Sequence, residues 1–195
     1  MSSVKGEVRI VGGNWRGRML TFEARPGLRP TPARGRETLF NWLGQQLPGW
    51  HCLDLYAGSG ALGFEARSRG AARVTLVEKD ARALRSLKDN ARRLGGDGLE
   101  IVAGDAFDWL SRTAQGFDLI FVDPPYASSE LGRIWPLLAP RLNPGGWLYC
   151  ESAHGILPEA PWREARCTKM GQARLQLFQL GTGVDSRQAL AQTLE

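Results

Sequence analysis

Hydrophobic residues in most of the chain form short apolar runs that alternate with segments of helical spacing. The runs predict strands over residues 52–56, 73–77, 99–102, 117–122 and 147–151. Helical spacing between and after them predicts helices over residues 61–68, 80–94, 105–111 and 130–138. This alternation is typical of a parallel sheet that is covered on both faces, which is an α/β fold.

The two ends of the chain depart from this rhythm. Residues 8–11 and 18–22 predict two short strands around a glycine-rich connection, and residues 163–168 and 174–180 predict an antiparallel hairpin at the sheet edge. Between the first pair and the sheet, a helix is expected to run to Leu47, with Thr31 as N-cap and Pro32 at its first position. We therefore expect an N-terminal β-hairpin extension over residues 1–30, a main domain over residues 31–182 and a flexible tail over residues 183–195.

Composition narrows the class of protein. A chain of 195 residues with 43% hydrophobic content suits one domain. The three cysteines have no metal-ligand spacing, so we expect no metal site, and Cys52 and Cys150 lie inside apolar runs that predict buried thiols. No apolar run approaches the ~20 residues of a membrane span, and the N-terminus lacks the apolar core of a signal peptide. We expect a cytoplasmic protein with no membrane contact and, since no long apolar stripe is evident, a monomer.

The net charge of +5 is concentrated in one segment. Residues 1–40 hold eight lysines and arginines against three glutamates, so the rest of the chain is balanced. Arginine suits phosphates and base faces, and a local basic segment favours a polyanion. The predicted RNA-binding residues are Arg16, Arg18, Arg29, Arg34 and Arg36.

A glycine-rich turn after the first strand of the main domain predicts a nucleotide site. Gly58 and Gly60 let the backbone approach a ligand at a helix N-terminus, and Glu78 follows 20 residues after Gly58, where a carboxylate can accept from ribose hydroxyls. The pattern also fits a dinucleotide dehydrogenase. Asp54 favours the cationic methionine portion of S-adenosylmethionine, because a carboxylate there repels a pyrophosphate.

A third acid, Asp105, follows the next strand and can accept from an adenine amino group, or cap a helix, or do both. Acids after three successive strands lie along one edge of such a sheet. The predicted cofactor-binding residues are Asp54, Tyr56, Gly58, Gly60, Glu78, Lys79, Asp105 and Ala106.

The segment Asp123-Pro124-Pro125-Tyr126 follows the fourth strand and is the most specific motif of the chain. Its prolines hold an extended backbone, and the Asp123 carboxylate and Pro124 carbonyl are both acceptors. Together they can orient an exocyclic amine for methylation, while Tyr126 offers a stacking face to the base. Asp123, Pro124 and Tyr126 are therefore the predicted catalytic residues.

These residues resemble the bacterial 16S ribosomal RNA guanine-N2 methyltransferases, the RsmD-like family. The resemblance covers about residues 8 to 180 and includes Arg16-Gly17-Arg18, the stretch from Arg36 to Leu43, the glycine turn and the Asp-Pro-Pro-Tyr motif. It implies an S-adenosylmethionine-dependent methyltransferase (Rossmann-like) fold with a mostly parallel seven-stranded sheet. It also implies N2 methylation of a guanine in the 16S RNA of the small ribosomal subunit or its assembly intermediate. Ala33 and Gly35 depart from the family pattern, which affects the start of the first helix.

Other functions compete with this one. An adenine-N6 methyltransferase acting on DNA or RNA uses the same acceptors, and the local motifs do not separate the two amines. A non-catalytic RNA-binding assembly factor on the same fold is a third hypothesis, but the complete set of acids and glycines disfavours it. A dehydrogenase is disfavoured by Asp54 and by the lack of a recognisable hydride-transfer site.

Overall fold

The structure is a computed structural model that describes residues 5–24, 30–124 and 128–181. Its N-terminal strands β1 (Lys5–Arg9) and β2 (Met19–Glu23) pair antiparallel as a separate two-stranded sheet. Helix α1 (Ala33–Trp42) precedes a second, seven-stranded sheet. The strands of this sheet are β3 (His51–Asp54), β4 (Arg73–Glu78), β5 (Leu99–Ala103), β6 (Phe117–Val122), β7 (Leu142–Ser152), β8 (Trp162–Met170) and β9 (Ala173–Leu180). The helices between them are α2 (Ala61–Ser68), α3 (Ala81–Leu94), α4 (Ala106–Arg112) and α5 (Ser128–Leu138), followed by a 3-10 turn at Ala139–Arg141.

The sheet order is β5-β4-β3-β6-β7-β9-β8. Strands β3 to β7 are parallel, whereas β9 is antiparallel to both β7 and β8. The predicted fold class, with its N-terminal and C-terminal hairpins, is confirmed. No helix among the described residues is both long and apolar enough to cross a membrane.

Each face of the large sheet has its own apolar core. One core contains Phe40 of α1, Phe64 of α2 and Leu87 of α3, and it also includes Ile10 and Leu20 from the N-terminal hairpin. The other lies under α4 and α5 and includes Trp162 and Phe178 of the C-terminal hairpin. The N-terminal hairpin therefore packs into the same core as the main domain. Cys52 and Cys150 are buried free thiols, as expected.

The predicted bounds of two elements, helix α1 and strand β7, were wrong. Helix α1 begins after Pro32 without a side-chain cap and ends at Trp42, five residues before Leu47. The Thr31 hydroxyl, expected to cap this helix, donates instead to Glu151 Oε1 at 2.7 Å. Strand β7 begins at Leu142, five residues before the predicted start at residue 147, and has a register irregularity against β6.

Candidate active site

The chain reverses the direction of sheet growth between β3 and β6. Strands β4 and β5 extend the sheet on one side of β3, and β6 and β7 extend it on the other. In parallel α/β sheets, the carboxyl ends of the strands at such a point form a ligand crevice. Acidic residues at or just after these strand ends are Asp54, Glu78, Asp105, Asp123 and Glu151. We call this side of the sheet the carboxyl edge.

Glu78 fixes the glycine turn. Its carboxylate is 8% exposed and accepts the backbone N–H groups of Gly58 at 2.8 Å, Lys79 at 2.9 Å and Asp80 at 2.8 Å. Gly60 has a φ of +79°, and a Cβ there would lie 2.6 Å from Leu87 Cδ2. The turn therefore requires glycine at position 60, and the Glu78 carboxylate keeps acceptor capacity for one further donor.

Asp54 is a buried acid below the same turn. Its Oδ2 accepts the backbone N–H of Gly63, in the first turn of α2, at 3.1 Å. Burial raises the pKa of Asp54 to about 7, and the nearby Glu78 carboxylate adds to the shift. Because a cation at the turn stabilises the charged form, this carboxylate favours a positively charged ligand group.

Asp105 caps helix α4 and accepts the Phe107 backbone N–H at 3.0 Å. Partial burial alone would raise the pKa of Asp105, but the Phe107 and Asp108 N–H groups and the Lys79 ammonium, at 3.4 Å, lower it overall. Ala106 follows as the buried first residue of α4. The Tyr56 hydroxyl donates to Glu130 of α5 at 3.2 Å. All eight predicted cofactor residues thus lie at the carboxyl ends of β3, β4 and β5.

Asp123 directly follows β6, with Pro124 next, whereas Pro125 and Tyr126 lie outside the described residues. Burial, together with the Glu151 and Asp54 carboxylates, raises the pKa of Asp123 well above its usual range. The predicted catalytic acid is therefore within electrostatic reach of Asp54 at the end of β3 on one side and of Glu151 on β7 on the other.

Sequence reasoning missed Glu151. Its Oε1 accepts the hydroxyls of Thr31 at 2.7 Å and Tyr149 at 2.9 Å, which ties the start of α1 to β7. Burial raises the pKa of Glu151, although both hydroxyls and Arg36 oppose the shift. A signal was present, because Glu151 ends a predicted strand just as the other acids do.

The predicted RNA-binding arginines lie in separate places. Arg34 is exposed in the first turn of α1, at the carboxyl edge. Arg16 and Arg18 are exposed near the tip of the N-terminal hairpin, where the Asn14 and Trp15 N–H groups donate to Ser68, the last residue of α2. Because α2 runs back from the carboxyl edge, this tip lies at the opposite edge of the sheet. Arg29 lies outside the described residues.

Arg36, the fifth predicted RNA-binding residue, is buried. Its side chain is 1% exposed and forms an ion pair with the fully buried Glu65 of α2, with Nε 3.6 Å from Oε2. It also donates to the Thr31 carbonyl and, at 2.5 Å, to the Arg9 carbonyl. Glu65 pairs with Arg69 as well and accepts the Val11 N–H at 2.9 Å. Arg36 therefore joins the N-terminal hairpin to α2 and has no surface to offer a phosphate, which corrects the prediction.

Comparisons with known proteins identify the family of this chain. The sequence matches the family described as Conserved hypothetical protein 95 over residues 8–179. It is 40% identical over 186 residues to the ribosomal RNA small subunit methyltransferase D of Escherichia coli strain K12, covering 91% of this chain and 92% of that protein. The corresponding protein of Haemophilus influenzae is 40% identical over 156 residues, with coverage of 77% and 81%.

Solved structures agree with the sequence matches. The yhhF protein of Escherichia coli superposes with a TM-score of 0.82 at 39% identity, covering 91% of this chain and 99% of that one. A Thermus thermophilus 16S rRNA N2 G1207 methyltransferase, solved with AdoMet and guanosine, has a TM-score of 0.70 at 24% identity and shares the fold. The superposition covers 93% of this chain and 52% of the Thermus thermophilus chain. The resemblance found in the sequence is confirmed, and the chain belongs to the Conserved hypothetical protein 95 family, together with the ribosomal RNA small subunit methyltransferases D.

Proposed function

We propose that this protein transfers a methyl group from S-adenosylmethionine to the exocyclic N2 amine of a guanine in 16S ribosomal RNA. Its family relatives act as ribosomal RNA small subunit methyltransferases, which makes the chain an enzyme of this class. The observation that carries the proposal is the position of Asp123 and Pro124 just past the end of β6, beside Asp54 at the end of the neighbouring strand β3, where Asp54 pairs with Phe121. The acceptors for an amine thus stand beside a site suited to a cationic cofactor.

The residues at the cofactor corner fit S-adenosylmethionine. Glu78 has acceptor capacity for a ribose hydroxyl, Asp105 offers a carboxylate to the adenine amine, and buried Asp54 favours the positive charge. Gly58 and Gly60 bring backbone close to the ligand. When bound, the cofactor supplies a methyl group on a sulfonium, whose departure leaves a neutral thioether.

On the substrate side, the Asp123 carboxylate and the Pro124 carbonyl accept the two hydrogens of the amine. This directs the nitrogen lone pair at the methyl group and stabilises the positive charge that develops as the N–C bond forms. The nitrogen then loses one proton, for which the Asp123 carboxylate is the adjacent acceptor. Tyr126 is proposed to stack on the base. Arg16, Arg18, Arg29 and Arg34 are proposed to contact RNA phosphates, and the protein is proposed to act as a monomer.

The test is methyl transfer from labelled S-adenosylmethionine to undermethylated small subunits, to naked 16S RNA and to DNA, followed by nucleoside analysis. We expect N2-methylguanosine in the ribosomal substrate. N6-methyladenine would replace the proposed target with the adenine amine. A chain that binds the cofactor but transfers nothing to any of these substrates would contradict the proposal.

A further inference from the structure

The turn between β8 and β9 lies at the carboxyl edge. Strand β7 reaches this edge at Ser152, which pairs with Arg174 near the start of β9. Arg174 in turn pairs with Lys169 near the end of β8. The C-terminal hairpin therefore presents its turn on the same side of the sheet as Asp54, Asp123 and Glu151.

Helix α1 packs against the strands beside this turn. A Cβ on Gly35 would lie 3.3 Å from the Met170 sulfur and 3.8 Å from Leu175 Cδ2, so Met170 and Leu175 face α1. Lys169 and Arg174 alternate with these two residues and therefore face the other side of the sheet. There a Cβ on Gly155 would lie 2.7 Å from Arg174 Cδ, so the Arg174 side chain lies against the loop that follows β7.

Lys169 and Arg174 form an unusual pair. Both are exposed and stand directly opposite each other across two antiparallel strands, where like charges are destabilising. Neither of them forms an ion pair with any acid in the described ranges, whereas Arg82 and Arg85 pair with Glu23 and Arg92 pairs with Asp89. Two unneutralised cations thus stand next to one turn at the carboxyl edge.

Protection of the sheet edge does not account for this arrangement. Lysine and arginine on an edge strand discourage pairing with other chains, and β8 is an edge strand. Arg174, however, lies on β9, which is hydrogen-bonded on both sides. A bound anion, by contrast, would remove the repulsion between Lys169 and Arg174.

We propose that Lys169 and Arg174 form a phosphate-binding surface that holds the RNA backbone next to the methylated base. The inference rests on the proposed function, since an RNA whose base reaches Asp123 must pass its flanking phosphates over this edge. Phosphate contacts of this kind set the register and orientation of a nucleic acid.

The test compares the double variant Lys169→Ala/Arg174→Ala with Arg163→Ala. Arg163 is an exposed arginine on β8, the strand that carries Lys169. At the rise of a β-strand it lies roughly 17 Å from Lys169, on the side of the sheet opposite the carboxyl edge. Affinity for undermethylated small subunits is measured over a range of salt concentrations, and S-adenosylmethionine affinity and Tm are measured alongside.

For the double variant we expect RNA affinity to fall by about tenfold near 0.1 M salt and the log–log salt slope to flatten by about 1.5. Tm should stay constant or rise, because a like-charge pair is removed, and cofactor affinity should not change. Arg163→Ala should behave as wild type. An unchanged salt slope in the double variant, or an equal loss of RNA affinity in Arg163→Ala, would overturn the proposed phosphate-binding surface. Methylation by the wild-type chain would still support the proposed function in that case. A wild-type chain that neither binds nor methylates ribosomal RNA overturns both.

Discussion

The acids of the proposed cofactor site, Asp54, Glu78 and Asp105, and those of the proposed amine site, Asp123 and Glu151, are held in different ways. Glu78 accepts three backbone N–H groups, and Asp105 and Asp54 also accept from backbone. Glu151 accepts from two side-chain hydroxyls, and the pKa of Asp123 is raised by burial and by two neighbouring carboxylates. The first group is fixed by local turns and helix starts. In the second group, Glu151 depends on a contact with the distant Thr31.

The largest expected effect is at Asp123. Asp123→Ala removes one acceptor of the amine and should lower kcat by about 10² to 10³-fold, the cost of losing one group that stabilises transition-state charge. Cofactor affinity, measured by calorimetry, should stay within about twofold of wild type, since transition-state contacts do not act on cofactor binding. Asp89→Ala, at an exposed acid of α3, is the control. Full turnover in Asp123→Ala would refute the assignment.

The next effect is at Glu78. Glu78→Ala leaves three backbone N–H groups without their acceptor and removes the ribose contact, so the Kd for S-adenosylmethionine should rise by about 10- to 100-fold. Turnover at saturating cofactor should change much less. The measurement is a cofactor titration together with kcat at saturation. A large loss of kcat with an unchanged Kd would place Glu78 on the substrate side of the crevice.

Asp54 predicts how cofactor affinity depends on pH. With its pKa raised to about 7 by burial, Asp54 is protonated at lower pH, and a cation is attracted only by the ionised form. Affinity should therefore increase as pH rises through 7 and fall by up to about tenfold per pH unit below that. Asp54→Asn should bind more weakly and lose this dependence. Identical pH profiles for the two proteins would contradict the role.

A smaller effect is expected at Glu151, acting through Asp123. Burial is the main cause of the raised pKa of Asp123, and the Glu151 charge adds to it. Glu151→Gln should lower that pKa and move the acid limb of the kcat–pH profile to lower pH, with a few-fold change in rate. Thr31→Val removes a donor to Glu151 and should not reproduce that shift. A profile that does not move in Glu151→Gln would leave Glu151 as a purely structural residue.

The smallest effect is expected at the hairpin tip. Arg16→Ala/Arg18→Ala removes exposed cations at the edge opposite Asp123, so RNA affinity should fall by only about two- to threefold and the salt slope should change slightly. Cofactor affinity and kcat should match wild type. Salt-dependent binding curves compared with those of Lys169→Ala/Arg174→Ala decide which edge contributes more. A larger loss of RNA affinity in Arg16→Ala/Arg18→Ala would mean that the hairpin tip contributes more to RNA binding than the carboxyl edge does.

The positions of the acids at the ends of β3, β4 and β5 were predictable because the sequence signals for them are local. Each acid there follows a strand within a few residues, and the parallel alternation already places strand ends at one edge. The Asp123 motif was visible for the same reason. Glu151 carries the same strand-end signal, but its partner Thr31 lies 120 residues away. A local pattern assigned that hydroxyl to a helix cap instead.

The predicted RNA-binding arginines show that the charge of a sequence segment does not predict where its side chains lie in the fold. Five of them were grouped by their nearness in sequence, and the fold places Arg34 at the carboxyl edge, Arg16 and Arg18 at the opposite edge, and Arg36 in the interior. Lys169 and Arg174 lie far from these arginines in the chain, yet strand pairing places them opposite each other at the carboxyl edge.

The sequence by itself determined the order of strands and helices, the parallel sheet, the glycine turn and the acids that follow the strands, because periodicity and turn chemistry act over a few residues. Only the tertiary structure decided which charges are buried and which acids face each other. A buried arginine needs a carboxylate from another element, here Glu65 for Arg36, and the pairing of β7, β9 and β8 sets which cations share an edge.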